Sequence, residues 1–139
     1  MNITLEDINL LPHRKHKTDA GHDLKSNEET FTLKPKETKL VHTGVRIEIS
    51  YGFCGMVVPR SGLGCQGLNL MNGVGIIDSN YRGEIMVKVI NNGSKDIKIK
   101  QFDRFCQLII VPVSTEALVT VPQLSESPRG ENGFGSSGC

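Results

Sequence analysis

The chain has 139 residues, the length of one domain that buries roughly two-thirds of its unfolded surface. A formal net charge of +1 supplies no long-range field for a polyanion, so any phosphate site must be built locally. No run of ~18 apolar residues is present, which excludes a helical membrane span. The 4 cysteines are scattered, so free buried thiols are expected rather than disulfides or zinc.

The opening Met1-Asn-Ile-Thr-Leu-Glu-Asp7 lacks the regions of a signal peptide, and an intracellular, cytoplasmic protein is expected, with nucleus or virus-infected host cell left open. The basic run His13-Arg-Lys-His-Lys17 reads as a solvated surface ahead of nucleic-acid binding. Glycine, proline and short β-branched runs argue for an all-β domain. Strands are predicted over Thr38 to Val41, Val45 to Ile49, and Cys54 to Val58. After Pro59 one helical turn is expected, at Arg60-Ser-Gly-Leu. A further strand runs from Glu84 to Asn91, followed by the turn signal Asn91-Asn-Gly-Ser94 and a strand over Ile97 to Ile99. Phe105 to Val113 is the last, and its nearly continuous apolar sequence suits burial on both faces, where subunits meet. From Val121 onward the composition turns to Pro, Ser, Gly and Glu, which cannot bury enough apolar surface to order itself. The expected division is a β-rich core over 1–121 and a flexible arm over 122–139.

Two segments carry chemistry. Val57-Val-Pro-Arg-Ser-Gly-Leu-Gly64 reads as a strand breaking into a turn whose N–H groups approach an anion, although taken alone it is an ordinary β-turn. Gly73 to Glu84 places Asp78 and Tyr81 three apart in a glycine-bounded turn, so a carboxylate and a ring can face one pocket. Taken singly, Asp78 would cap its own turn and Tyr81 would be a half-buried edge residue. Gly133-Phe-Gly-Ser-Ser-Gly138 spells a dinucleotide fingerprint, but only Cys139 follows and no helix can form.

In order and spacing, five segments resemble the motifs of the trimeric dUTP pyrophosphatases (dUTPases): Ala20 to Ser26, Pro59 to Gly64, Gly73 to Glu84, Asp103 to Leu108, and Arg129 to Gly138. The resemblance implies a jelly-roll-like subunit with at most one short helix, in a homotrimer with shared active sites. It implies Mg2+-assisted hydrolysis of dUTP to dUMP and pyrophosphate, which limits uracil in DNA and supplies the thymidylate precursor. Asp78 would be the general base toward water. Arg60, Ser61, Gly62 and Gln107 would bind the phosphates. A hairpin bearing Asn72, Gly75 and Ile77 would read uracil, with Tyr81 under the deoxyribose. Asp23 would meet the metal through water, and a pair with Arg104 is compatible with that. On the arm, Arg129, Phe134, Gly135, Ser136 and Ser137 would close over base and phosphates.

This sequence departs from the family pattern at Asn80, where a second acidic residue is common, and at Phe102, which replaces a glycine and leaves the local turn open. A dCTP deaminase on the same fold would need a glutamate where Lys88 stands. The same fold could also serve a non-catalytic nucleotide-binding regulator or a purely structural β-subunit, because fold does not dictate function.

Overall fold

Short segments with alternating apolar side chains can bury only one face, so they must stack as sheets. The computed structural model describes residues 1–133, which form eleven strands. These are β1 (Asn2–Leu5), β2 (Gly21–Lys25), β3 (Phe31–Leu33), β4 (Thr38–His42), β5 (Val45–Glu48) and β6 (Phe53–Pro59). After one helical turn, α1 (Ser61–Gly64), come β7 (Leu68–Leu70), β8 (Gly75–Ile77), β9 (Met86–Asn91), β10 (Ile97–Ile99) and β11 (Arg104–Pro112). A 3₁₀ turn at Ile8–Leu10 is the other helical piece. The all-β class read from the sequence is therefore the class observed. No helix among the described residues is long and apolar enough to cross a membrane.

One sheet has the order β2-β11-β6-β8 and another β4-β9-β7, with the pairs β1-β5 and β3-β10 beside them. Their inward faces share one apolar cluster, in which Leu24, Val57, Phe105 and Leu108 meet Val41, Leu68, Val87 and Val89. Fully burying a side chain such as Phe105 stabilises by roughly 1.5–3 kcal/mol. β11 lies between β2 and β6. In the single chain its expected two-sided burial holds at Phe105, Cys106 and Leu108, whereas Gln107, Ile109 and Val111 are half-buried.

Four strands were not anticipated, β1, β2, β3 and β7, whereas Gly75–Ile77 was expected as part of a hairpin. The pairing of the three-residue ones comes from distant partners, as when Phe31–Leu33 joins Ile97–Ile99. The turn at Asn91 to Ser94 is present but does not close a hairpin, because β9 pairs with β4 and β7 while β10 pairs with β3. Asn91 is fully buried at this crossover. Its Nδ2 donates to the carbonyls of Leu33 (2.9 Å) and Lys95 (2.8 Å), and its Oδ1 accepts from the Gly93 N–H (2.9 Å). Backbones meet so closely here that a Cβ on Gly93 would strike the Gln66 carbonyl.

The thiol expectation needs one correction. Cys54 and Cys106 are free and buried, but Cys65 is free and exposed, since it follows α1 on the surface. The Phe102 turn is corrected too. Phe102 adopts φ 64°, so the glycine-type left-handed backbone is kept despite the side chain, at a cost on the order of 1 kcal/mol.

Candidate active site

Strand β6 runs into Pro59, and the chain then turns sharply. Arg60 is extended and α1 follows as the expected single turn, closed by Gly64 N–H to Arg60 O (2.8 Å) and Cys65 N–H to Ser61 O (2.9 Å). The first N–H groups of such a turn lack intrahelical acceptors. A Cβ on Gly62 would meet nothing within 4 Å, so the space in front of them is open. On β2, Asp23 receives Arg60 Nε at 2.7 Å on one oxygen and Arg104 Nη1 at 3.2 Å on the other. Gln107, on β11, donates to Pro59 O (3.2 Å), and a Cβ on Gly21 would collide with its Oε1. Asp23, Arg60, Ser61, Arg104 and Gln107 line one cleft of about 420 Å³, which His13 and Lys15 also enter.

A second cleft, of about 510 Å³, is lined by Asn72, Gly75 and Ile77 with Val57, Leu70 and Lys88. Gly75 faces Val57, and an added Cβ would come within 3.3 Å of the valine Cβ. The expected hairpin is corrected: β7 pairs with β9 and β8 with β6, so Asn72 to Glu84 crosses between the two sheets. The crossing gives the segment two anchored ends. At its far end the Tyr81 N–H bonds the Asp78 backbone carbonyl (3.1 Å), and Arg82 Nη1 donates to Ser79 O (2.7 Å). The Asp78 carboxylate is exposed and is not the cap of this turn, since the backbone oxygen does that work. Tyr81 lies over Gly83, where a Cβ would strike its ring, and its hydroxyl donates to Glu84 O (2.9 Å).

Sequence reasoning missed the clamp behind this segment. Glu84 accepts from the Gly44 N–H (2.8 Å) and meets His42 Nδ1 at 2.8 Å. The Glu84 hydrogen bond raises the pKa of His42 against the opposing effect of burial. Burial disfavours the charge on Glu84, but the bonds from His42 and Gly44 outweigh it and lower its pKa. Residues 42 and 84 are too far apart in sequence for any local pattern to have paired them.

The two clefts are not one. Asp23 sits on β2 and Gly75–Ile77 on β8, the opposite edges of a four-stranded sheet, about 14 Å apart across three strand spacings. Along β6 the separation is greater. Ile77 pairs with Gly55, so Asp78 falls level with Cys54, six residues before Arg60 and roughly 20 Å away along the strand.

The dUTPase family model matches residues 9–138. The deoxyuridine 5'-triphosphate nucleotidohydrolase of Clostridium novyi is 42% identical over 142 residues, spanning 99% of each chain. That of Escherichia phage T5 is 38% identical over 99% of this chain and 98% of its own. The dUTPase of Staphylococcus bacteriophage 80alpha, solved with dUPNHPP, superposes with a TM-score of 0.89 at 32% identity, over 99% of this chain and 98% of that one. The chain belongs to the dUTPase family. Its sheets have the jelly-roll-like arrangement of that family's structures. A mutant dUTPase of phage phi11 of S. aureus, 28% identical with a TM-score of 0.80 over 90% of this chain and 98% of that one, was solved with a structural Mg(II) ion.

In this dUTPase-family chain the donors suit a metal brought by substrate better than one held by the protein. Among the described residues no three His, Cys, Asp or Glu side chains gather as ligands. Asp23 already engages an arginine through each oxygen, leaving lone pairs for water rather than for direct ligation. A hydrated magnesium bound mainly through phosphates fits that donor set. Arg129 is on the exposed stretch that follows β11, whereas Phe134, Gly135, Ser136 and Ser137 lie outside the described residues.

Proposed function

We propose that this chain hydrolyses dUTP to dUMP and pyrophosphate at a site assembled from neighbouring copies, in a homotrimer. The observation that carries this reading is the ~20 Å, set by strand rise, between Asp78 and the Arg60–Ser61 turn of the same chain. One substrate cannot bridge that gap and still place its α-phosphorus at Asp78. A second copy, presenting its Asp78 to this chain's phosphate cleft, can.

In this mechanism the segment from Asn72 to Ile77 pairs its backbone groups with the uracil edge and leaves no room for a ring methyl. Tyr81, held by Gly83 and Glu84, packs under the sugar and crowds a 2′-hydroxyl. Arg60, the α1 N–H groups, Ser61 and Gln107 of another copy fix the phosphates. The Asp78 carboxylate then takes a proton from water as its oxygen bonds the α-phosphorus. The bond from that phosphorus to the bridging oxygen breaks, and pyrophosphate leaves. Magnesium, met by Asp23 through water, would neutralise phosphate charge when bound. Positioning and charge neutralisation carry the rate. Residues from 122 onward act as the arm, with Arg129, Phe134, Gly135, Ser136 and Ser137 closing over the ligand. The reaction belongs inside a cell or infected cell, where deoxynucleotides are made.

Lys88 lines the base cleft, so the glutamate that a deaminase requires there is missing. Pyrophosphate release from each deoxynucleoside triphosphate and from UTP tests the reading. Strong selectivity for dUTP is expected, and comparable turnover of dTTP or UTP would overturn the assignment of the base cleft.

A further inference from the structure

The basic run near the N-terminus is not simply a solvated face. His13 exchanges two backbone hydrogen bonds with Asp23, His13 N–H to Asp23 O (3.0 Å) and Asp23 N–H to His13 O (2.7 Å). This single bridge ties the start of the run to β2, and the chain bends from Lys15 onward. Side chains of an extended segment alternate between faces. Pro12 and Arg14 accordingly line a different cavity, where Arg14 Nη2 approaches His22 Nδ1 at 3.4 Å. His13 and Lys15 point the other way, into the cleft of Asp23 and Arg60.

Charge counting then singles out Lys15. The cleft's formal charges are +2 from Arg60 and Arg104, −2 from Asp19 and Asp23, and +1 from Lys15. Both arginines already face Asp23, and the Asp19 carboxylate caps its own turn by accepting the His16 N–H (2.8 Å). With arginines and aspartates balanced, the net positive charge resides on Lys15, which has no carboxylate partner among the described residues. A cleft of zero net charge gives little preference for a triphosphate over a monophosphate, whereas one uncompensated ammonium favours the species with more negative charge.

We propose that Lys15, steadied by the His13–Asp23 bridge, binds the nucleotide's phosphate chain and makes the site select triphosphate over monophosphate. This rests on the reading of the cleft as the phosphate site. The experiment compares wild type with Lys15→Gln, Lys15→Arg and Arg14→Gln by dUTP kinetics and by calorimetric titration with dUPNHPP and with dUMP. Lys15→Gln should raise KM for dUTP, and weaken dUPNHPP, by about five- to tenfold, the weight of one partly exposed charge-assisted contact. Most of the loss should fall in KM rather than kcat, and dUMP affinity should stay within about twofold, since a monophosphate does not reach an added distal cation. The rise of KM with KCl should be steeper in wild type than in Lys15→Gln. Lys15→Arg should restore wild-type behaviour. Arg14→Gln removes the same charge one residue away but on the other face, and should leave the KM for dUTP unchanged.

If Lys15→Gln keeps the wild-type KM, if it weakens dUMP and dUPNHPP equally, or if Arg14→Gln matches it, the inference is overturned. Failure of wild type to hydrolyse dUTP would instead sink the proposed function. Titration with inorganic tripolyphosphate distinguishes the two, because binding that depends on Lys15 needs neither uracil recognition nor turnover.

Discussion

Asp78 stands at the end of β8 with its side chain exposed and its turn already capped by backbone, so its removal should cost chemistry and not structure. Asp78→Asn should lower kcat by about 10²–10⁴-fold, the usual contribution of a general base, with an unchanged thermal midpoint. An unfolded variant, or one with kcat near wild type, would contradict this. The His42–Glu84 clamp yields a pH prediction. The pKa of His42 is raised above its ordinary 6.5, so its stabilisation is complete below that value and disappears as pH climbs through the raised value. Glu84 is lowered below 4.5, so its share is complete above that value and fades as pH falls through the lowered one. Both operate together between pH 4.5 and 6.5. Because the His42 side chain is 45% exposed, the effect should stay under about 1 kcal/mol. Urea midpoints of wild type and His42→Gln, taken across pH, should differ most in that window and converge at alkaline pH. An equal difference at pH 8 would show that the clamp is not ionic.

At the level of elements, length did not separate the strands that were legible from those that were not: Ile97–Ile99 was read along the chain and Gly21–Lys25 was missed. Val45–Glu48 and Ile97–Ile99 alternate apolar and polar side chains, and burial follows that alternation residue by residue. Leu68–Leu70 and Gly75–Ile77 have three residues each, and only their partners on β9 and β6 make them strands. The turn at Asn91 was visible as a turn, but its crossing between sheets was not, since that depends on a carbonyl of Leu33, 58 residues away. Asn91→Leu would leave two carbonyls and the Gly93 N–H without this partner. A loss of about 3 kcal/mol is expected in denaturant titration, given typical costs for buried unsatisfied groups. A loss under ~1 kcal/mol would mean that water replaces the amide there.

For the whole molecule, the decisive geometry is the placement of Asp78 and Arg60 at opposite ends of β6. If complete sites combine chains, two inactive variants should complement each other. Asp78→Asn and Arg60→Gln, unfolded together and refolded at equal amounts, should recover about a quarter of wild-type activity, the chance that both contributing chains carry intact partners. No recovery in mixed oligomers would place the whole site within one chain. Deleting residues from Arg129 onward should abolish efficient turnover while sedimentation still reports a trimer.

Local patterns in this sequence determined the β class and the turn after Pro59, because periodicity, glycine and proline act over a few residues. Only tertiary structure decided that two arginines share Asp23, that His42 secures Glu84, and that Asp78 lies far from Arg60 within the chain. Each of those facts is a pairing between positions distant along the chain. Such pairings are set by strand order and register, which no short stretch of residues encodes.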